Sequence, residues 1–193
     1  MVETWKKVTS EKVIEIIDAD ELEDESLEML KPDMRPEEFI GELASAGSWS
    51  EAVMVMSRTL PRREAVWWAC VCARDSEELS KDKDEVLALK AAEKWAYEPT
   101  EDNRRDAFLQ AQKSESPSVG TMACLAVAFT ESELSLSAEQ SINLDSSEFP
   151  KIVSGTVLIA ASDKGSEQFD PTVKQFLKQG KNIACGRRVK PKA

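Results

Sequence analysis

Residues 65–73 read Ala-Val-Trp-Trp-Ala-Cys-Val-Cys-Ala, with no polar position anywhere in the run. A helix that is apolar on every face is buried on every face, so this stretch predicts a central helix around which the others pack. Pro61 is placed to open it, since proline tolerates a first turn where its missing N–H is not needed. Arg62 and Arg63 crowd that first turn, which the helix dipole disfavours. A carboxylate nearby is therefore expected, from Glu64 or from the acidic N-terminal region, and a salt bridge is preferred to an anion site.

Elsewhere the apolar positions recur at helical spacing. Ser10 is a candidate N-cap for a short helix through Val13, Ile14, Ile16 and Ile17, and Ser26–Leu30 predicts one further turn. Pro36 begins a helix with the stripe Phe39, Ile40, Leu43 and Ala44, which Gly47 should close in a left-handed conformation. The next helix runs from Ser48 or Ser50 to Leu60. Glu85–Tyr97 reads as a helix that stops before Pro99, and Thr100 caps another through Ala111. Pro117-Ser118 precede a strongly apolar helix from Val119 to about Phe129. Residues 130–148 have no clear apolar period and predict a long mobile loop. Phe149–Ala161 returns to the core, and Asp170-Pro171 should start a final helix ended by Gly180.

The fold class expected is all-α: about eight antiparallel helices in helical hairpins, forming one compact domain over residues 1–180. A basic tail then covers residues 181–193. Only seven glycines and one tyrosine are present, and strand-type alternation is nearly absent. No apolar run approaches the roughly 20 residues that span a bilayer, so membrane insertion is not expected. The N-terminus lacks the basic-then-apolar layout of a signal peptide, which predicts a cytoplasmic location.

Charge changes the picture more. The net charge is −11, and Ser10–Glu42 alone carries thirteen carboxylates against Lys12, Lys31 and Arg35. The last thirteen residues carry five basic side chains and no acid. An acidic body repels nucleic acid phosphates, so no nucleic acid partner is expected. Its field attracts a basic protein instead. The acidic run reads first as a solvated face that serves solubility; as the alternative, a docking surface for a basic partner, its candidate partner-binding residues are Asp20, Glu21, Glu23 and Asp24.

Candidate chemistry is sparse. The chain has no histidine, which removes Ser–His–Asp triads, Cys–His pairs and histidine metal sites. No glycine-rich phosphate loop is present. Cys70 and Cys72 point to opposite sides of a helix, about 200° apart at the ~3.6-residue period, so they cannot chelate one ion. Cys70, Cys72, Cys124 and Cys185 therefore read as reduced thiols. Asp18, Asp20, Asp82 and Asp84 lack the turn and terminal glutamate of a calcium loop. No catalytic residue, cofactor or metal is expected. Trp67 and Trp68 read as core, with at most one ring reaching a surface groove.

One further pattern runs along nearly the whole chain. It comprises Phe39 and Leu43, Ala46-Gly47 before Trp49, Ala52-Val53, and the segment from Leu60 to Cys70 followed by Ala73-Arg74. It continues with Val153, Gly155 and Val157–Ala161, then Phe176-Leu177, Gly180, Ile183-Ala184 and Gly186. In these residues the chain resembles a family of bacterial proteins known only as a domain of unknown function. Residues 134–148 depart from that family's usual pattern, with Ser and Glu where several prolines are expected. The resemblance supplies no catalytic residue. It implies an accessory protein of Gram-negative bacteria, some members being associated with type VI secretion loci. The function expected is non-catalytic: an adaptor or chaperone-like protein whose partner is a secretion effector or component. An immunity protein neutralising a basic toxin is the alternative, and an enzyme the third reading. No oligomeric state is implied.

Overall fold

The computed structural model describes residues 5–76, 79–114, 118–137 and 139–190. Pro117, expected before the Val119 helix, and Lys192 of the basic tail lie outside the described residues. The fold is all-α, with a small two-stranded sheet as its only β-structure among the described residues. The helices are α1 (Asp24–Met29), α2 (Pro36–Ala46), α3 (Trp49–Thr59), α4 (Arg62–Ala73), α5 (Lys83–Tyr97), α6 (Glu101–Ala111), α7 (Val119–Ala128), α8 (Phe149–Ser162) and α9 (Ser166–Ala184).

Helix α4 is the central element. It packs against α5, α7, α8 and α9 at once, and Ala65, Val66 and the run Trp68–Ala73 are all buried. Helices α7 and α8 share its depth, α7 touching α4, α5, α6 and α8. Trp68 is fully enclosed, and its Nε1 donates to the carbonyl of Phe176 on α9 at 2.9 Å. A buried indole N–H needs such a partner, because an unpaired donor costs about 1–3 kcal/mol.

Several local signals act as expected. Gly47 takes φ 84°, and Ser48 N–H donates to the Leu43 carbonyl at 2.9 Å, closing α2. Thr100 caps α6 by accepting from Asn103 N–H. Ser118 does the same for α7 from Thr121 N–H.

Other elements differ. Ser10 starts no α-helix: residues Val13–Glu15 form a single 3-10 turn, and Ser10 Oγ instead accepts from the Lys12 N–H. Only Val13 of that segment is buried there, which is too small an apolar stripe to hold a helix in place. Helix α9 begins at Ser166, after Gly165 at φ 82°, and runs through Pro171. Proline removes one hydrogen bond of the ladder, but Thr172, Val173, Phe176 and Leu177 bury the helix against its neighbours. Gly180 does not end it. Its missing side chain lets Met56 of α3 approach, since a Cβ there would lie 3.0 Å from Met56. Lys181–Ala184, read as tail, are the last turn of α9.

Within residues 130–148 the described residues include two short paired strands. Strand β1 (Glu133–Ser135) pairs antiparallel with β2 (Ser141–Asn143), with Leu134 opposite Ile142. Leu134 is fully buried, and Arg104 of α6 donates to the Glu133 carbonyl. Glu101 accepts from Ser135 N–H at 2.9 Å, so α6 holds the strand from two sides.

Candidate functional site

The N-terminal segment meets the end of α3 before α1 begins, Thr9 N–H donating to the Thr59 carbonyl at 2.9 Å. Asp18, Asp20, Glu23, Asp24, Glu25 and Glu28 are exposed. Three of the four candidate residues, Asp20, Glu23 and Asp24, thus face solvent. Glu21 does not belong with them. Its carboxylate meets Arg58 of α3 at 2.5 Å and Lys151 of α8 at 3.7 Å, and its side chain keeps only 25% exposure. The backbone of the neighbouring 3-10 turn (Ala19–Glu21) sets this direction, with Asp18 capping the turn and Glu21 carried toward α3. Glu21 is a structural anchor, which sequence spacing had no means of separating from its acidic neighbours.

Arg62 and Arg63 find carbonyls rather than the carboxylate expected. Arg62 donates to the carbonyls of Phe129 and Thr130 at 2.9 and 2.7 Å, just past the end of α7, and stands 5.1 Å over the Phe149 ring. Arg63 donates to the carbonyls of Ala96 and Tyr97 at the end of α5. The C-terminal ends of two helices carry the partial negative charge that two arginines at the start of α4 require. Glu64 pairs with Lys7 at 2.7 Å instead.

That junction borders a groove of about 320 Å³. Trp67 forms its floor with Tyr97, the rings meeting edge-on with centroids 5.1 Å apart. Trp67 is therefore the tryptophan that reaches the surface, while Trp68 does not. Tyr97 is 65% exposed. The C-terminal residues Gly186–Lys190 form one wall. Gly186 turns the chain at φ 79° after α9, and Trp67 Nε1 donates to the Val189 carbonyl at 3.1 Å, fastening this strap across the indole. On the other side Lys6 and Lys7 donate their backbone N–H groups to the Ala184 carbonyl, both at 2.8 Å. Residues 6–7 and 184–190 thus meet at the groove. Sequence reasoning missed Tyr97 and Lys7 altogether; the single tyrosine, the last residue of α5, was the available signal.

The cysteines show no reactive environment. Cys70, Cys72 and Cys124 are buried, and Cys185 is half-buried. Burial pushes the Cys70 and Cys72 thiols well up and that of Cys124 to about 12. A thiolate is the nucleophile and metal ligand, so these three are held in the inert form. Among the described residues no group of three Cys, Asp or Glu side chains stands ready to hold a metal ion. No helix among them is long and apolar enough to cross a membrane.

No curated protein and no solved structure matches the chain. A family model does, over residues 39–184. The match begins within α2 and ends with α9, leaving outside it the acidic segment with Asp20, Glu21, Glu23 and Asp24, and the strap over Trp67. With most of the chain matched, from within α2 to the end of α9, the chain belongs to the family of unknown function DUF6931.

Proposed function

We propose that the protein acts by binding another protein, as a cytoplasmic accessory, adaptor or chaperone-like partner of a bacterial secretion effector. The observation that carries this reading is the exposed run of carboxylates at Asp18, Asp20, Glu23, Asp24, Glu25 and Glu28, in α1 and the turn before it. Such a field steers a basic partner and raises its association rate, while salt screens it over about 8 Å at physiological strength. The sequence resemblance to proteins encoded near type VI secretion loci supplies the class of partner.

The test begins with capture of the tagged full chain from its native host and identification of what co-purifies. The partner is then purified, and its association rate measured by stopped flow at low and high salt. A secreted effector or secretion-tip component whose association slows several-fold with Asp20→Lys/Glu23→Lys/Asp24→Lys, and loses its salt dependence, supports the reading. Unchanged kinetics would reduce the acidic segment to a solubilising surface. A captured toxin whose activity the protein abolishes would move the assignment to an immunity protein.

A further inference from the structure

We infer that the Trp67–Tyr97 groove is a second binding site, one that takes an extended acidic peptide segment carrying an aromatic or long apolar side chain. The inference extends the binding-protein reading but uses none of its acidic residues, so either can fail alone.

The groove inverts the charge of the molecule. The chain as a whole carries −11, yet Lys7, Arg63, Arg187, Arg188 and Lys190 line this one depression against the single carboxylate of Glu64. Lys7 neutralises Glu64 at 2.7 Å. Arg63 is held in place by the end of α5. Arg187, Arg188 and Lys190 stand exposed along the strap, and Gly186 and the Trp67–Val189 hydrogen bond fix the backbone that carries them. Arg187 donates to Asn182 at 3.0 Å, while Arg188 and Lys190, with Lys7 and Arg63 across the groove, set up a positive field that favours a negatively charged occupant.

The floor specifies the rest of the ligand. Tyr97 leaves most of its ring in solvent beside the edge of Trp67, and such aromatic surface favours a ring or long apolar group laid against it. A volume of about 320 Å³ sits at the low end of the roughly 300–1,000 Å³ of small-ligand pockets. It seats a side chain or two of a longer segment rather than a folded surface.

A phosphate or nucleotide fits less well. Phosphate sites present backbone N–H groups from a helix start or a glycine loop. The helix start at this groove is that of α4, whose first turn presents Glu64 already paired with Lys7 and Arg63 already donating to the end of α5. Carboxylates spaced along a peptide meet the strap's separate cations without approaching that end.

The test uses fluorescein-labelled pools of short synthetic peptides and the full chain, read by fluorescence polarisation. One pool combines Asp and Glu with one aromatic residue, a second replaces the aromatic with Gly, and a third replaces the acids with Lys. We expect the first pool to bind about tenfold or more tighter than the third and several-fold tighter than the second, with affinity falling as salt rises. Arg188→Glu/Lys190→Glu and Tyr97→Ala should each weaken it about tenfold, circular dichroism confirming that both variants stay folded. Equal binding of the acidic and basic pools, no binding of the first pool, or binding undiminished in both variants would overturn the proposal. Displacement of the pool by ATP or inorganic phosphate at lower concentrations than by unlabelled peptide would overturn it in favour of a small-anion site.

Discussion

Trp68 Nε1 and the Phe176 carbonyl, 2.9 Å apart, join the central helix to the last one inside a region that solvent does not reach. The neighbouring Trp67 sends its own N–H the other way, to Val189 on the surface strap. Two adjacent tryptophans thus serve different layers of the molecule, because successive helical residues point about 100° apart at the ~3.6-residue period.

Trp68→Ala should cost about 3–5 kcal/mol, the range for emptying a large buried aromatic site. Trp68→Phe should cost less but still about 1–3 kcal/mol, since it loses the hydrogen bond to the Phe176 carbonyl and part of the buried ring volume. Trp67→Ala should destabilise less than Trp68→Ala. Urea unfolding of the three variants checks the order.

Two helical glycines should respond in opposite directions to alanine. A Cβ on Gly120 would collide with the backbone carbonyl of Glu85, and the Glu85 carboxylate also accepts from the Gly120 N–H at 3.0 Å. Gly120→Ala must separate α7 from α5 and should cost about 1–3 kcal/mol. Gly41 lies within α2, and a Cβ there would meet nothing within 4 Å, so Gly41→Ala should add about 0.5–1 kcal/mol. Thermal midpoints moving in the same direction would contradict the packing.

Glu21→Lys should destabilise the fold by about 1 kcal/mol, a figure kept small because the pair is partly solvated. It sets a cation against Arg58 and Lys151. Asp20→Lys, Glu23→Lys and Asp24→Lys should change stability little, their side chains being exposed. Denaturant midpoints of the four single variants separate the anchor from its neighbours.

Raised thiol pKa values make stability fall at alkaline pH. Below the ordinary thiol value of about 8.5 both folded and unfolded chains keep the proton. Above it the unfolded chain loses protons that burial retains on Cys70, Cys72 and Cys124. Unfolding therefore becomes easier as pH rises, by up to about 1.4 kcal/mol per pH unit for each thiol. For Cys124 the loss continues to about pH 12. Cys124→Ala should flatten the slope of stability against pH on the alkaline side of about 8.5, measured by urea unfolding.

Native-state labelling gives an independent reading of the same burial. With a thiol reagent near neutral pH, Cys185 should react first, being half-buried while the other three are enclosed. All four should react quickly in denaturant. Fast labelling of Cys70 or Cys72 in the folded protein would contradict the placement of α4.

Helix content and the identity of the central helix were legible in the residues themselves. Period, proline placement and capping act within a few positions, and Gly47, Thr100 and the run from Ala65 to Ala73 signal their roles without reference to the rest of the chain. Tertiary structure decided what depends on which ends meet. Arg62 and Arg63 gain carbonyls only because α7 and α5 finish beside the start of α4. Glu21 becomes an anchor only because Arg58 and Lys151 come to it from two other helices. Pro171 and Gly180, read locally as start and stop, lie inside α9 because burial of Phe176 and the approach of Met56 outweigh local preference. The groove exists only once Lys7, Trp67, Tyr97 and the strap at Val189 are gathered from four distant parts of the chain. Local patterns carry helix formation because its hydrogen bonds span four residues; partner choice and binding surfaces are set by packing between elements, and only the folded chain contains that information.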